Sequence, residues 1–165
     1  MSKEQLLGLM QDALKTAEAD QAEMVAVTTD SALTWYAENT IHQNVAEHGA
    51  QVQVRAVVGK KVGSASTTDC TPDGLALVVR QAGEAARLMP DNPDFPGLPM
   101  PQPLEVTDLG GWVAATAACT PADRVSAVKN IIEQSERESL RAAGTYRTQQ
   151  SELAVVSSTG VAAYH

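Results

Sequence analysis

Aromatic residues are scarce, at 4% of the 165 residues. A core here must be assembled mainly from Val, Leu, Ile and Ala. Cysteine is nearly absent. The two present, Cys70 and Cys119, lie far apart and have no metal-type spacing. That excludes a zinc-ribbon framework, and two lone thiols fit a reducing compartment. A disulfide between them is the minority reading. Lys and Arg never form a run, the formal net charge is -8 and the sequence pI is about 4.8. Such a surface repels phosphate, which disfavours nucleic acid as a partner. No stretch approaches the ~20 apolar residues of a membrane span. The N-terminal MSKEQLL has neither the apolar region nor the small-residue cleavage site of a secretion signal. These absences point to the cytoplasm, away from membranes.

The short catalytic signatures are missing too. There is no HExxH, HExxxH, GxSxG or GxxxxGK[ST] pattern. His42 and His48 stand six residues apart in a strand-like stretch. They share a side but are about 20 Å apart at the strand rise, so they cannot share a metal unless the chain folds between them. His165 is the last residue. Ser64, Ser66, Thr67 and Thr68 are rich in hydroxyls but have no histidine at a known spacing. Gly59 and Gly63 beside those serines suggest a phosphate loop, yet they sit in a hairpin rather than between strand and helix. Glu47, Asp69 and Asp73 lie near turns and helix starts, where capping and solvation explain them. Trp35 and Tyr36 point to opposite faces of a strand, one for the core and one for solvent. No catalytic, cofactor-binding or metal-binding residue is assigned anywhere in the chain.

What is present is globular composition, 44% hydrophobic and 19% charged. The clearest pattern runs from Ala50 to Asp69. Val52, Val54, Ala56 and Val58 alternate with Gln51, Gln53 and Arg55, the period of a strand with one buried face. Gly59-Lys60 is a two-residue turn. The next strand, Lys61 to Thr67, is built of small residues that let a helix, another backbone or a ligand lie close against it.

Before this hairpin, Ser2 and Gln5 form a capping box for a helix to about Ala19, with Leu6, Met10, Ala13, Leu14 and Ala17 on its apolar stripe. Strands are expected at 23–29, 32–38 and 41–47, with turns at Asp30-Ser31 and Asn39-Thr40. After the hairpin, Thr71-Pro72-Asp73 starts a helix ending near Leu88. Residues 90–103 are rich in Pro and Gly and form an extended connector, anchored by Phe95 and Leu98. Within 107–119 a short helix is expected from Trp112 to Ala118. Thr120-Pro121 starts another, with Val125, Val128, Ile131, Ile132 and Ser135 on its stripe. Strands return at 142–150, 152–158 and 161–165.

The fold class is therefore α+β: a helix, a mainly antiparallel meander sheet covered by helices, a Pro-rich connector, a further helix and the first strands of a second β-rich region. The expected domains are 1–89, a connector at 90–120, and 121–165 continuing into a domain beyond the chain. An unpaired strand at the C-terminus would leave ladder groups open, which suggests a piece of a longer protein.

Gly59 to Asp69, DNPDFPGLP from Asp91, LRAAGTY from Leu140 and SSTGVAAY from Ser157, in this order, resemble the N-terminal portion of the TldD/PmbA family, the so-called modulators of DNA gyrase. The resemblance covers essentially the whole chain. It implies a cytoplasmic zinc metallopeptidase system whose two-subunit assemblies degrade or trim small unfolded peptides. It places the zinc ligands, an HExxxH helix and a later cysteine, in the C-terminal half of the metal-bearing subunit. None of them falls on a residue here, and His165 is not part of that motif. The zinc would thus belong to the C-terminal half of the parent or to its partner subunit. GSASTTD points to the metal-free subunit type and PDNPDFPGLP to the metal-bearing type. The implied partners are a family subunit, in a homo- or heterodimer, and a small unfolded peptide, with no nucleic acid. The rival reading is a non-catalytic peptide-binding or dimerisation module.

Overall fold

The computed structural model describes residues 2–103 and 110–165. In chain order the elements are α1 (Lys3–Leu14), β1 (Gln21–Ala37), β2 (Thr40–Val58), β3 (Lys61–Thr67), α2 (Pro72–Leu88), α3 (Ala114–Ala117), α4 (Pro121–Arg137), β4 (Gly144–Ser157) and β5 (Ala162–Tyr164). The strands form one five-stranded sheet in the order β3-β2-β1-β4-β5. The α+β class and the antiparallel sheet with helices stand as expected.

Local chemistry sets the helix boundaries. Ser2 and Gln5 cap α1 reciprocally, and Thr120 and Asp123 do the same for α4. Thr71 caps α2, with Pro72 in its first turn. α1 stops at Leu14 rather than near Ala19, but Ala17 and Ala19 still pack on the core.

The strands differ from the expectation in three ways. The Asp30-Ser31 turn does not form, and β1 runs straight through it. Turn-forming side chains work by bonding to their own backbone. Here they bond sideways: Gln150 donates to Asp30 Oδ2 at 2.9 Å and Arg147 donates to Ser31 Oγ at 3.1 Å. Likewise β2 passes through His48-Gly49 as one 19-residue strand, so four expected strands are two long ones. The reversal between them falls on Glu38 and Asn39, both at positive φ (49° and 57°). Finally, the strands expected separately at 142–150 and 152–158 are the single strand β4, which with β5 completes the same sheet instead of opening a second β-rich region. Ser158 N–H donates to Ala22 O at 2.8 Å, and Ala22 N–H to Ser158 Oγ at 2.9 Å. The end of the chain is paired on one side, through mutual Leu153–His165 backbone bonds of 2.7 and 2.8 Å.

The chain divides into two compact units, each made of non-contiguous segments. The first comprises 1–28, 49–105 and 152–165. Its core joins Leu6 and Met10 of α1, Met24, Val52 and Val54 of the sheet, Leu75, Val78 and Val79 of α2, and Ala154 and Val156 of β4. Each buried Leu, Met or Val side chain among these contributes about 1.5–3 kcal/mol relative to exposure. The connector is held at Leu98, which is buried and whose N–H donates to Gln21 Oε1 at 2.7 Å. Phe95, the other expected anchor, is half-buried and its carbonyl accepts from Lys60 Nζ.

The second unit comprises 29–48 and 106–151 and has a smaller core of Tyr36, Val128 and Ile132. Tyr36 is buried while Trp35 is 40% exposed, the split expected of adjacent strand positions. On α4 the stripe differs from expectation: Arg124 is buried, Val125 only partly so, and Ile131 is exposed. The short helix expected from Trp112 to Ala118 is shorter, Ala114–Ala117 (α3), and residues 107–109 of that stretch lie outside the described residues.

Candidate functional site

In the first unit, β3 is the edge of the sheet. Its small residues serve the helix beside it. A Cβ on Gly63 would lie 2.1 Å from the Ala86 nitrogen and 2.7 Å from the Ala82 carbonyl of α2. The element lying close against this strand is thus a helix, and no ligand is needed to explain the composition. Ser64 and Ser66 point away from that helix and are exposed.

The register fixes which backbone groups of β3 are open. β2 and β3 pair antiparallel from Val58↔Lys61 to Val52↔Thr67. Residues flanking a two-residue turn exchange hydrogen bonds, and such pairs alternate with non-bonded ones. Lys61, Gly63, Ala65 and Thr67 therefore bond inward to β2, while Val62, Ser64 and Ser66 aim N–H and C=O at the free side. No hydrogen bond from elsewhere among the described residues reaches those three.

The two ends of this edge differ in charge. Lys60 Nζ donates to Phe95 O at 2.9 Å and Lys61 Nζ to Arg87 O at 3.2 Å. Both acceptors are neutral, so the two ammonium charges remain. Beyond Thr67, Thr71 N–H donates to Asp69 Oδ1 at 2.9 Å. The Thr71 side chain, with that N–H, holds the Asp69 carboxyl below its ordinary value. Asp73 follows in the first turn of α2.

In the second unit, a shallow cavity of about 270 Å³ is lined by residues including Asp30, Glu47, His48, Cys119 and Gln150. His48 Nδ1 lies 2.5 Å from Asp30 Oδ1, and Gln150 Nε2 donates to Asp30 Oδ2. The Gln150 donation first, and the His48 contact second, hold the Asp30 carboxyl below its ordinary value. A group depressed in the folded state stabilises it above the unfolded value, about pH 3.9, and that contribution is lost as pH falls through the folded value. An Asp30→Asn variant is therefore expected to melt below wild type near neutral pH, with the gap closing in acid. Parallel thermal melts across the pH range measure it. Both side chains are more than half exposed, so the gap should be small.

This Asp–His pair was not legible in the sequence, because a strand register brings together residues 18 apart. It does not make a nucleophile. Among the described residues, the hydrogen-bond partner of Cys119 Sγ is the Thr120 carbonyl, at 3.8 Å, and not His48 or Asp30. The other histidines stand elsewhere. His42 packs its ring against Trp35 with centroids 4.8 Å apart, and its Nε2 meets Ala37 O. His165 is held by backbone pairing. Both cysteines are free, and burial followed by the Asp69 charge pushes the Cys70 thiol up, away from the reactive thiolate. Among the described residues, no three His, Cys, Asp or Glu side chains could hold a metal ion, so these residues do not fit a zinc site. No helix among them is long and apolar enough to cross a membrane.

Residues 22–86 match the family model for PmbA/TldA metallopeptidase domain 1. No curated protein matches. The fold is similar to that of TldE from Thermococcus kodakarensis (TM-score 0.83, 19% identity), over 96% of this chain and 36% of that one. It is also similar to a candidate modulator of DNA gyrase from Bacteroides thetaiotaomicron (TM-score 0.82, 14% identity), over 98% of this chain and 38% of that one. A third, from Thermotoga maritima, has a TM-score of 0.64 at 11% identity, over 99% of this chain and 36% of that one. The chain thus spans a little over a third of the length of these structures.

Proposed function

We propose, on the premise that residues 22–86 carry the first-domain pattern of the PmbA/TldA metallopeptidase family, that this chain is the N-terminal, non-catalytic part of a TldD/PmbA-type peptidase. It acts in the cytoplasm on small unfolded peptides, serving assembly and substrate enclosure. Any zinc and the bond-breaking step lie with residues other than those described, in the C-terminal half of the parent or in a partner subunit. The observation that supports the reading is the open edge of β3, where Val62, Ser64 and Ser66 present unpaired ladder groups. An extended peptide can add there as a further strand, held by main-chain bonds that do not depend on its sequence.

The test is a Ser64→Pro variant. Its N–H faces the free side, so proline spares the pairing with β2 and removes one bond to an added strand. The expected result is a folded protein whose affinity for an unstructured peptide falls about tenfold, the loss of roughly one hydrogen bond. Unchanged affinity in a folded variant would overturn the reading.

A second reading is a metal-free partner subunit or dimerisation module with no catalysis of its own. Val27 and Leu153, 38% and 40% exposed, favour it, because their sequence neighbours Thr28 and Glu152 are hydrogen-bonded across two strands and bring the pair together. It predicts a stable dimer by sedimentation equilibrium, dispersed by Leu153→Ser. A monomer at all concentrations would count against it. The formal charge of -8 opposes DNA as a partner.

A further inference from the structure

The edge of β3 has a polarity as well as open hydrogen-bonding groups, and a short peptide carries a matching polarity. Resting on the peptide-binding reading above, we infer that the site takes a short peptide with free termini, antiparallel to β3, its carboxylate at Lys60 and Lys61 and its ammonium at Asp69.

Three observations carry this. Val62, Ser64 and Ser66 offer three N–H and C=O pairs along a seven-residue strand, enough for one short extended peptide. The Lys61 end of that strand carries two ammonium groups that, among the described residues, bond to carbonyls and form no ion pair. Of the nearby charges, Arg87 pairs with Glu18 at 3.3 Å and Asp20 accepts from the Gly59 N–H at 2.7 Å, while Asp91 lines the same open cavity as the two lysines and offsets one of their two charges, leaving that end net positive. At the Thr67 end stands the carboxylate of Asp69, in no ion pair among the described residues, whereas Asp73 lines a groove with Thr16, Glu18 and Arg80 and takes no part.

β3 runs from the lysine end to the aspartate end. A peptide running the same way would set its ammonium on the lysines and its carboxylate on Asp69. The reverse direction pairs unlike charges at both ends, and like charges placed together are unfavourable. The ladder bonds provide affinity for any sequence, and the termini choose direction and favour short peptides over internal segments of a folded chain. The two serines on the exposed face of the strand leave room for varied side chains.

The test uses a seven-residue peptide of alternating Val and Thr with free termini, its C-amidated form and its N-acetylated form. Titration against the isotope-labelled protein gives affinities, and a spin label on the residue nearest the peptide's C-terminus reports direction. The free peptide is expected to bind about three- to tenfold tighter than either blocked form in low salt, with the difference shrinking as salt rises. The label is expected to broaden the amides of Lys60 to Val62. A Lys60→Ser, Lys61→Ser double variant should lose the preference for a free carboxylate while still binding the amidated form. Equal affinities for all three peptides, or broadening at Thr67 to Asp69 instead, would overturn the directional inference and leave edge pairing standing. No binding of any form would overturn the peptide reading, and the inference with it.

Discussion

Replacing Gly63 with alanine is expected to cost about 3 kcal/mol or more, at or beyond the upper end of ordinary overpacking. The added Cβ would meet Ala86 N at 2.1 Å, Ala86 Cα at 2.6 Å and Ala82 O at 2.7 Å. All three are backbone atoms of α2, so no side-chain rotation relieves the clash. Either the helix lifts off the strand or β3 leaves the sheet. Lifting α2 uncovers Leu75, Val78, Val79 and Ala82, all within 1% of full burial. Gly8 is the control. It sits inside α1, and a Cβ added there would have nothing within 4 Å. Gly8→Ala should therefore gain up to about 1 kcal/mol from helix propensity. Urea denaturation of both variants decides the matter. A Gly63→Ala protein as stable as wild type would mean that helix and strand do not pack this closely.

Arg124→Ala is expected to cost about 3 kcal/mol, as for other large-to-small core changes. Arg124→Met should stay within about 1 kcal/mol of wild type, or exceed it. Arg124 is 2% exposed, in a core whose buried apolar members are only Tyr36, Val128 and Ile132 among the described residues. Its Nη1 donates to Cys119 O at 3.1 Å, while its buried Nε has no partner among them. The long side chain contributes volume, and its charge contributes little that the structure repays. Alanine removes the volume and leaves a cavity, whereas methionine keeps the volume and drops the uncompensated polar atoms. Equal losses in the two variants would show that the guanidinium charge itself stabilises the unit.

These two residues also mark what the sequence made legible. Gly63 was readable, because a strand of Gly, Ser and Ala lets a neighbour lie close, and the Thr71-Pro72 start placed a helix directly after it. Caps at Ser2, Thr71 and Thr120 were readable for the same reason: they act over three residues. Arg124 was not, since helical periodicity ranks residues by polarity and passes over a buried arginine in favour of Val125. The turn expected at Asp30-Ser31 failed because it rested on local bonding, whereas Gln150, His48 and Arg147 reach those side chains from other strands. The joining of β4 to β1 was hidden too, since nothing near Ser158 in sequence points to Ala22. As for the site, the hairpin was legible but its open edge was not, because which strand ends a sheet depends on pairings that reach across the whole chain.

The most direct test of the peptide-binding account is amide hydrogen exchange across β3, with and without a saturating seven-residue Val-Thr peptide. The amides of Gly63 and Ala65 already bond to β2 and should be little changed. Those of Val62, Ser64 and Ser66 face the free edge, and the account predicts that they slow selectively when peptide is added. No slowing at these three positions under saturating peptide would contradict it.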